Sequence, residues 1–137
     1  MPLVFRVDRE AHVIVTAGYG TLTDGQVFDY HREIASRDDT IGYDELVDMT
    51  DVKEIALPST ERVQELATLA ANADTKRGSS RLAIVAPGDL AFALSRMFQT
   101  TRELDPRSRR EVGVFRTSKE ALAFLRLDHP LALPKPD

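Results

Sequence analysis

Two hydroxyls, Ser59 and Thr60, and two carboxylates, Asp48 and Asp51, are the side chains here whose types and spacing could do chemistry. The hydroxyls stand in "LPSTER", just ahead of a helical pattern. A phosphate there would be stabilised by the helix dipole, and its charge would alter a binding surface. The plainer role of the same residues is an N-cap, accepting a bond from an otherwise orphan backbone N–H. Asp48 and Asp51 fall at the exit of the apolar run "YDELVDM", and ligands of open parallel sheets lie beyond the carboxyl ends of strands. Paired carboxylates can divide acid and base work when their environments separate their pKa values. No histidine motif or metal-ligand spacing accompanies this pair, so the plainer reading has Asp48 bonding nearby amides and Asp51 shaping a turn. His12, His31 and His129 are scattered, and neither a metal nor a cofactor is expected. His31 falls on the apolar stripe of a helix, where a partly buried histidine needs no catalytic explanation. No catalytic residue is assigned.

The elements that must position these groups follow from periodicity. "LVFRV" and "HVIVTA" flank the charged turn "DREA" as a hairpin. Thr23 and Gln26 form a capping box ahead of Val27, Tyr30, His31 and Ile34 at helical spacing. "YDELVDM" is a third strand, and "STERVQELATLAANADTKRG" a helix with Val63, Leu66, Ala67, Ala70 and Ala73 inward and a stop at Gly78. "RLAIVAP" reads as a strand covered on both faces, central in the sheet. "GDLAFALSRMFQTTREL" is a third helix with Leu90, Ala93, Leu94, Met97 and Phe98 on one stripe, ended by "DPRSRR". "EVGVFR" and "TSKEALAFLRL", with Thr117 and Glu120 in capping-box register, supply the last strand and helix. This alternation predicts an α/β fold: a single domain over residues 1–127 with a mixed, mostly parallel five-stranded sheet, four helices divided between its faces, and the first strand antiparallel through the hairpin. Residues 128–137 form a proline-rich tail, expected to be extended, frayed or laid against a partner.

Composition bounds the partners. With 42% hydrophobic and 29% charged residues, 137 residues suit one sizeable core. A net charge of -4 gives no global attraction to phosphate backbones, so nucleic acid is not an expected partner. The basic string Arg107 to Arg110, with Lys76, Arg77 and Arg81, reads as a solvated surface. Without cysteine there are no disulfides or thiolate sites, and a cytoplasmic location is expected. The start "MPLVFRVDRE" lacks a signal-peptide apolar region, and no stretch is long enough to span a membrane.

The strings "ELVDMTDV", "RLAIVAP", "SRMF" and "VGVFRTSKEALAFL", over roughly Leu3 to Leu125, resemble the stage II sporulation protein AA-like family, related to STAS domains and to the lipid-binding SEC14 fold. The resemblance implies a small STAS-like domain. In the anti-sigma-factor antagonists of that group, a serine at the start of the helix after the third strand is phosphorylated by a partner kinase. Ser59 is the positional match and Thr60 the next, but the aspartate before and the glycine after are missing.

The leading expectation is a bacterial regulatory or protein-interaction domain without catalytic activity, acting through Ser59, Thr60 and Asp48 with a regulatory protein partner or as a homodimer. The alternative is a small-molecule or lipid carrier. Phe92, Met97 and Phe98 add bulky apolar surface to the third helix and would form the interface or line the pocket. An enzyme using Asp48, Asp51 or His31 would require those groups to meet in one cleft.

Overall fold

The structure is a computed structural model that describes residues 2–56 and 59–136, with no side-chain description for 75–77. The side chains of Lys76 and Arg77 therefore lie outside the described residues. Strand β1 (Leu3–Asp8) turns through Asp8, whose Oδ1 accepts the Ala11 N–H at 2.9 Å, into β2 (Val13–Thr23). Helix α1 (Asp24–Ser36) opens with the full capping box between Thr23 and Gln26. Strand β3 (Asp44–Ala56) leads to α2 (Thr60–Arg77), capped by Ser59 and ended at Gly78, whose φ of 77° suits a residue without Cβ. The chain then runs through β4 (Arg81–Val85), α3 (Asp89–Leu104), β5 (Glu111–Phe115) and α4 (Ser118–Phe124).

The sheet order is β1-β2-β3-β4-β5, antiparallel only between β1 and β2. Because each parallel step moves the same way across the sheet, right-handed crossovers stack α1, α2 and α3 on one face. A core of Val63, Ala67, Ala70, Leu82, Ile84, Phe98, Val112 and Val114 fills that side. Helix α4 covers the other face, with Ala121 and Leu125 packed on Val13, Val15, Leu46, Ala83 and Val85. The fully buried run of β4 does sit inside the sheet, but one place from its centre, which β3 occupies.

The tail extends that second core. Leu131 and Leu133 pack against it, the Ala132 carbonyl accepts from Arg6 Nε at 2.8 Å, and the Pro134 carbonyl accepts from Tyr19 at 2.6 Å. Residues 131–134 are thus laid on the chain's own sheet.

Two readings of apolar spacing change. Strand β3 continues past Met49 to Ala56, because Tyr19 to Thr23 of β2 remain available to pair its charged half. On α3 the inward slots are taken by Ser95, Phe98 and Arg102, with Ala91 and Leu94 beside them, while Leu90 and Ala93 face outward. Leu90 is 59% exposed and Leu104 79%. Arg102 belongs inward because Asp74, on the continuation of the Val63–Ala67–Ala70 stripe of α2, meets it there: the Arg102 Nη2–Asp74 pair is 1% exposed on both sides.

The same Asp74 oxygen accepts the backbone N–H groups of Arg109 (2.7 Å) and Arg110 (3.1 Å), so one carboxylate ties α2 to α3 and to the start of β5. Removing one partner of a buried pair strands the other charge, at a cost of about 3–5 kcal/mol. Asp74→Ala is expected to lower unfolding free energy by that amount in urea titrations, whereas Arg107→Ala, whose ion pair with Asp105 is more exposed, should cost far less.

Candidate functional site

Strand β3 parts from β4 after the Asp48–Val85 position yet stays paired with β2 to Ala56. The long β2–β3 ribbon and the three helices on its face therefore diverge toward the carboxyl ends of the strands, and a cavity of about 130 Å³ lies between them. Its walls come from Leu22 and Val27, from Val47, Met49 and Ile55 of β3, from Val63 and Leu66 of α2, and from Ala91, Leu94, Ser95 and Phe98 of α3. Tyr30, His31, Glu45 and Leu82 line its deeper side, toward the starts of the strands. The lining is almost wholly apolar, with no lysine or arginine. Arg62, at the first turn of α2, binds Asp24 at 2.7 Å and lies 4.2 Å above the Phe28 ring, clamping α2 to α1 beside this chamber.

Behind the deeper side runs a chain of buried polar groups. Tyr30 donates to Glu45 Oε2 and shares a 2.6 Å hydrogen bond with Thr16 Oγ1. Arg110 Nη1 donates to Glu45 Oε1 at 2.8 Å, and its Nε to Ser80 Oγ at 2.8 Å. Burial pushes the Glu45 carboxyl upward, but the Arg110 charge, the hydrogen bonds from Tyr30 and Arg110, and the nearby His31 together outweigh it and hold the pKa below the ordinary glutamate value. Burial, reinforced by the Glu45 charge, lifts the Tyr30 phenol well above its usual value, so it remains a donor.

The basic string from Arg107 reads in the sequence as a solvated surface, but Arg110 lies inside. It is 5% exposed and is the counter-ion of Glu45. Glu45 itself was missed, although it alternates in phase with Val47 and Met49, which face the chamber. Asp74 and Arg102 were missed as well, and their signal was a continued helical stripe: 63, 67, 70, 74 on α2 and 91, 95, 98, 102 on α3.

The residues singled out from sequence are dispersed. Ser59 accepts from Arg62 N at 3.3 Å as the α2 N-cap, and both it and Thr60 are exposed. Asp48 alternates onto the α4 face, where it is 5% exposed and accepts the Thr50 N–H at 2.8 Å. Asp51 is exposed within β3, opposite Tyr19, and shapes no turn. His31 lines the chamber on the opposite face from Asp48, so the structure does not bring Asp48, Asp51 and His31 into one cleft. Of the three bulky α3 residues, Phe98 lines the chamber, while Phe92 and Met97 pack half-buried against the same core without lining it. Arg116 lies 4.1 Å above the Phe92 ring. Among the described residues no cluster could hold a metal ion, and no helix is long and apolar enough to cross a membrane.

No protein-family profile matches the chain, and no curated protein matches it. Among solved structures it is similar to an uncharacterised protein of the DUF3478 family with a SpoIIAA-like fold from Shewanella loihica. The match has a TM-score of 0.52 and 19% identity, over 90% of this chain and 93% of that one. The fold is SpoIIAA-like: five strands with the first antiparallel, and four helices.

The carboxylates give stability a definite acid limit. Hydrogen bonds from Arg9 and then Arg37 hold Asp39 at about 2, and Arg107 holds Asp105 at about 2, while Glu45 is lowered as described. A carboxyl whose folded pKa lies below its unfolded value of about 4 stabilises fully above pH ~4 and loses that contribution as pH falls through the folded value. Melting temperature should therefore be flat from about pH 7 to 5 and decline between about 4 and 2. Glu45→Gln should melt lower at neutral pH and show a shallower acid decline.

Proposed function

We propose that this chain is a small-ligand-binding domain on a SpoIIAA-like fold, its ligand a compact apolar group held between the β2–β3 ribbon and helices α1 to α3. The observation that carries the reading is the chamber: about 130 Å³, walled by Val, Leu, Ile, Met and Phe side chains from seven different elements. Apolar cavities of about this size, roughly 150 Å³, take a benzene-sized molecule. A phospholipid is several times too large, so the volume favours a small aromatic or branched-alkyl ligand over a whole-lipid carrier. Separation of Asp48, Asp51 and His31 supports binding over catalysis by those groups.

Benzene is the simplest probe. Binding with a dissociation constant of roughly 1 mM or tighter amounts to about 4 kcal/mol, within the limit for a ligand of this size. Titration calorimetry should detect it, and saturating benzene should raise the melting temperature. Ala91→Phe, which projects a ring from the α3 wall into the space, should abolish binding while the protein stays folded. Absence of benzene binding to the wild-type protein would remove the reading.

A second reading, of a regulatory domain with a cytoplasmic protein partner, is supported by the exposure of Ser59 and Thr60 at the α2 N-terminus. Intact-mass measurement of protein from its own host should then show a phosphate that disappears in Ser59→Ala/Thr60→Ala. Unmodified wild-type protein would sink it.

A further inference from the structure

Ser95 is the one inward position of α3 within the chamber wall that is neither apolar nor paired. It is 6% exposed, and its hydroxyl makes no hydrogen bond with any described residue, not even to the Ala91 carbonyl one turn earlier. Two threonines elsewhere do make that bond, Thr68 to Gln64 and Thr101 to Met97. The oxygen is not fully buried and keeps accessible surface in the chamber wall, and alanine would fit this helical site better on propensity alone. Helix propensity therefore gives no reason for the oxygen, whereas a ligand with one matching polar group does.

Charge narrows the class. The lining holds one carboxylate, Glu45, and no lysine or arginine, because Arg110 lies behind Glu45 and does not line the space. Arg110 neutralises Glu45 from behind, so an anionic ligand would find no guanidinium or ammonium in the lining to pair with it and its desolvation would go uncompensated. Tyr30 already donates to Glu45, which leaves Ser95 as the lining hydroxyl available to a ligand.

We infer that the ligand is an uncharged, compact apolar molecule carrying one hydrogen-bonding group, such as a phenol, and that the Ser95 hydroxyl is its specificity-determining partner. This rests on the chamber being a ligand site, and the test separates the two. Benzene, phenol and benzoate are titrated into wild-type protein and Ser95→Ala by calorimetry. Benzene should bind both proteins alike. The preference for phenol over benzene should be about three- to tenfold greater in wild type than in Ser95→Ala, the worth of one net hydrogen bond. Ser95→Thr, which keeps the hydroxyl, should retain it. Benzoate should bind wild type at least tenfold more weakly than phenol. In the absence of any probe, Ser95→Ala should melt at least as high as wild type, because alanine has the higher helix propensity. An unchanged phenol preference in Ser95→Ala, benzoate binding equal to phenol, or a lowered melting temperature would each overturn the role of Ser95 while leaving the chamber standing. Failure of benzene to bind wild type would overturn the chamber reading itself.

Discussion

Four charges sealed in the base of the fold set the positions of nearly everything else. Asp74, Arg102, Glu45 and Arg110 are all 5% exposed or less, and they come from α2, α3, β3 and the segment entering β5. Such groups are weak sources of net stability, because desolvation offsets most of the attraction, yet each is costly to leave unpartnered. Their effect is on geometry: α2 can dock on α3 only in the register that brings Asp74 to Arg102, and β5 can join the sheet only where Arg110 reaches Glu45. Apolar contacts of Val, Ala and Leu tolerate sliding by a residue; a carboxylate receiving Arg102 and two backbone N–H groups does not.

Fixing the base in this way frees the opposite end. Helices α2 and α3 are held together at their carboxyl-terminal turns, and α1 is attached through Tyr30 to Glu45 and Thr16. Toward their amino-terminal turns the contacts become apolar, and β3 follows β2 away from β4. The chamber is the consequence of this divergence. Its polar side is the face of the same network that determines the fold, so Tyr30 and Glu45 act both in docking elements and in shaping the cavity.

Much of the architecture was legible because it depends on local rules. The Thr23–Gln26 capping box, Ser59 and Thr117 as caps, Gly78 as a stop and the unbroken apolar run of β4 all register within a few residues. The second half of β3 was not legible, since Asp51, Lys53 and Glu54 look like a loop until β2 is known to extend alongside. Leu90 was placed inward and Arg110 outward for one reason: residue type was used as a proxy for direction. Direction is set by the stripe, and the stripe of α3 passes through Ser95 and Arg102. The chamber could not be read at all, because a volume of this size is the residue of side-chain packing among seven elements whose separation the chain does not state.

The energetics bear on why such a space persists. An apolar space of about 130 Å³ left unfilled by side chains forgoes part of the stabilisation of close packing, in a class of domains held together by only about 5–15 kcal/mol. Single substitutions such as Ala91→Leu or Ser95→Leu are within easy reach of evolution and would recover some of it. The same apolar chamber also contains the Ser95 hydroxyl, which makes no hydrogen bond with a described residue. A fold that spends four buried charges to fix its register has the means to close its core. An unfilled volume and an unused hydroxyl in one wall are more economically explained by an occupant that meets both than by packing that fell short.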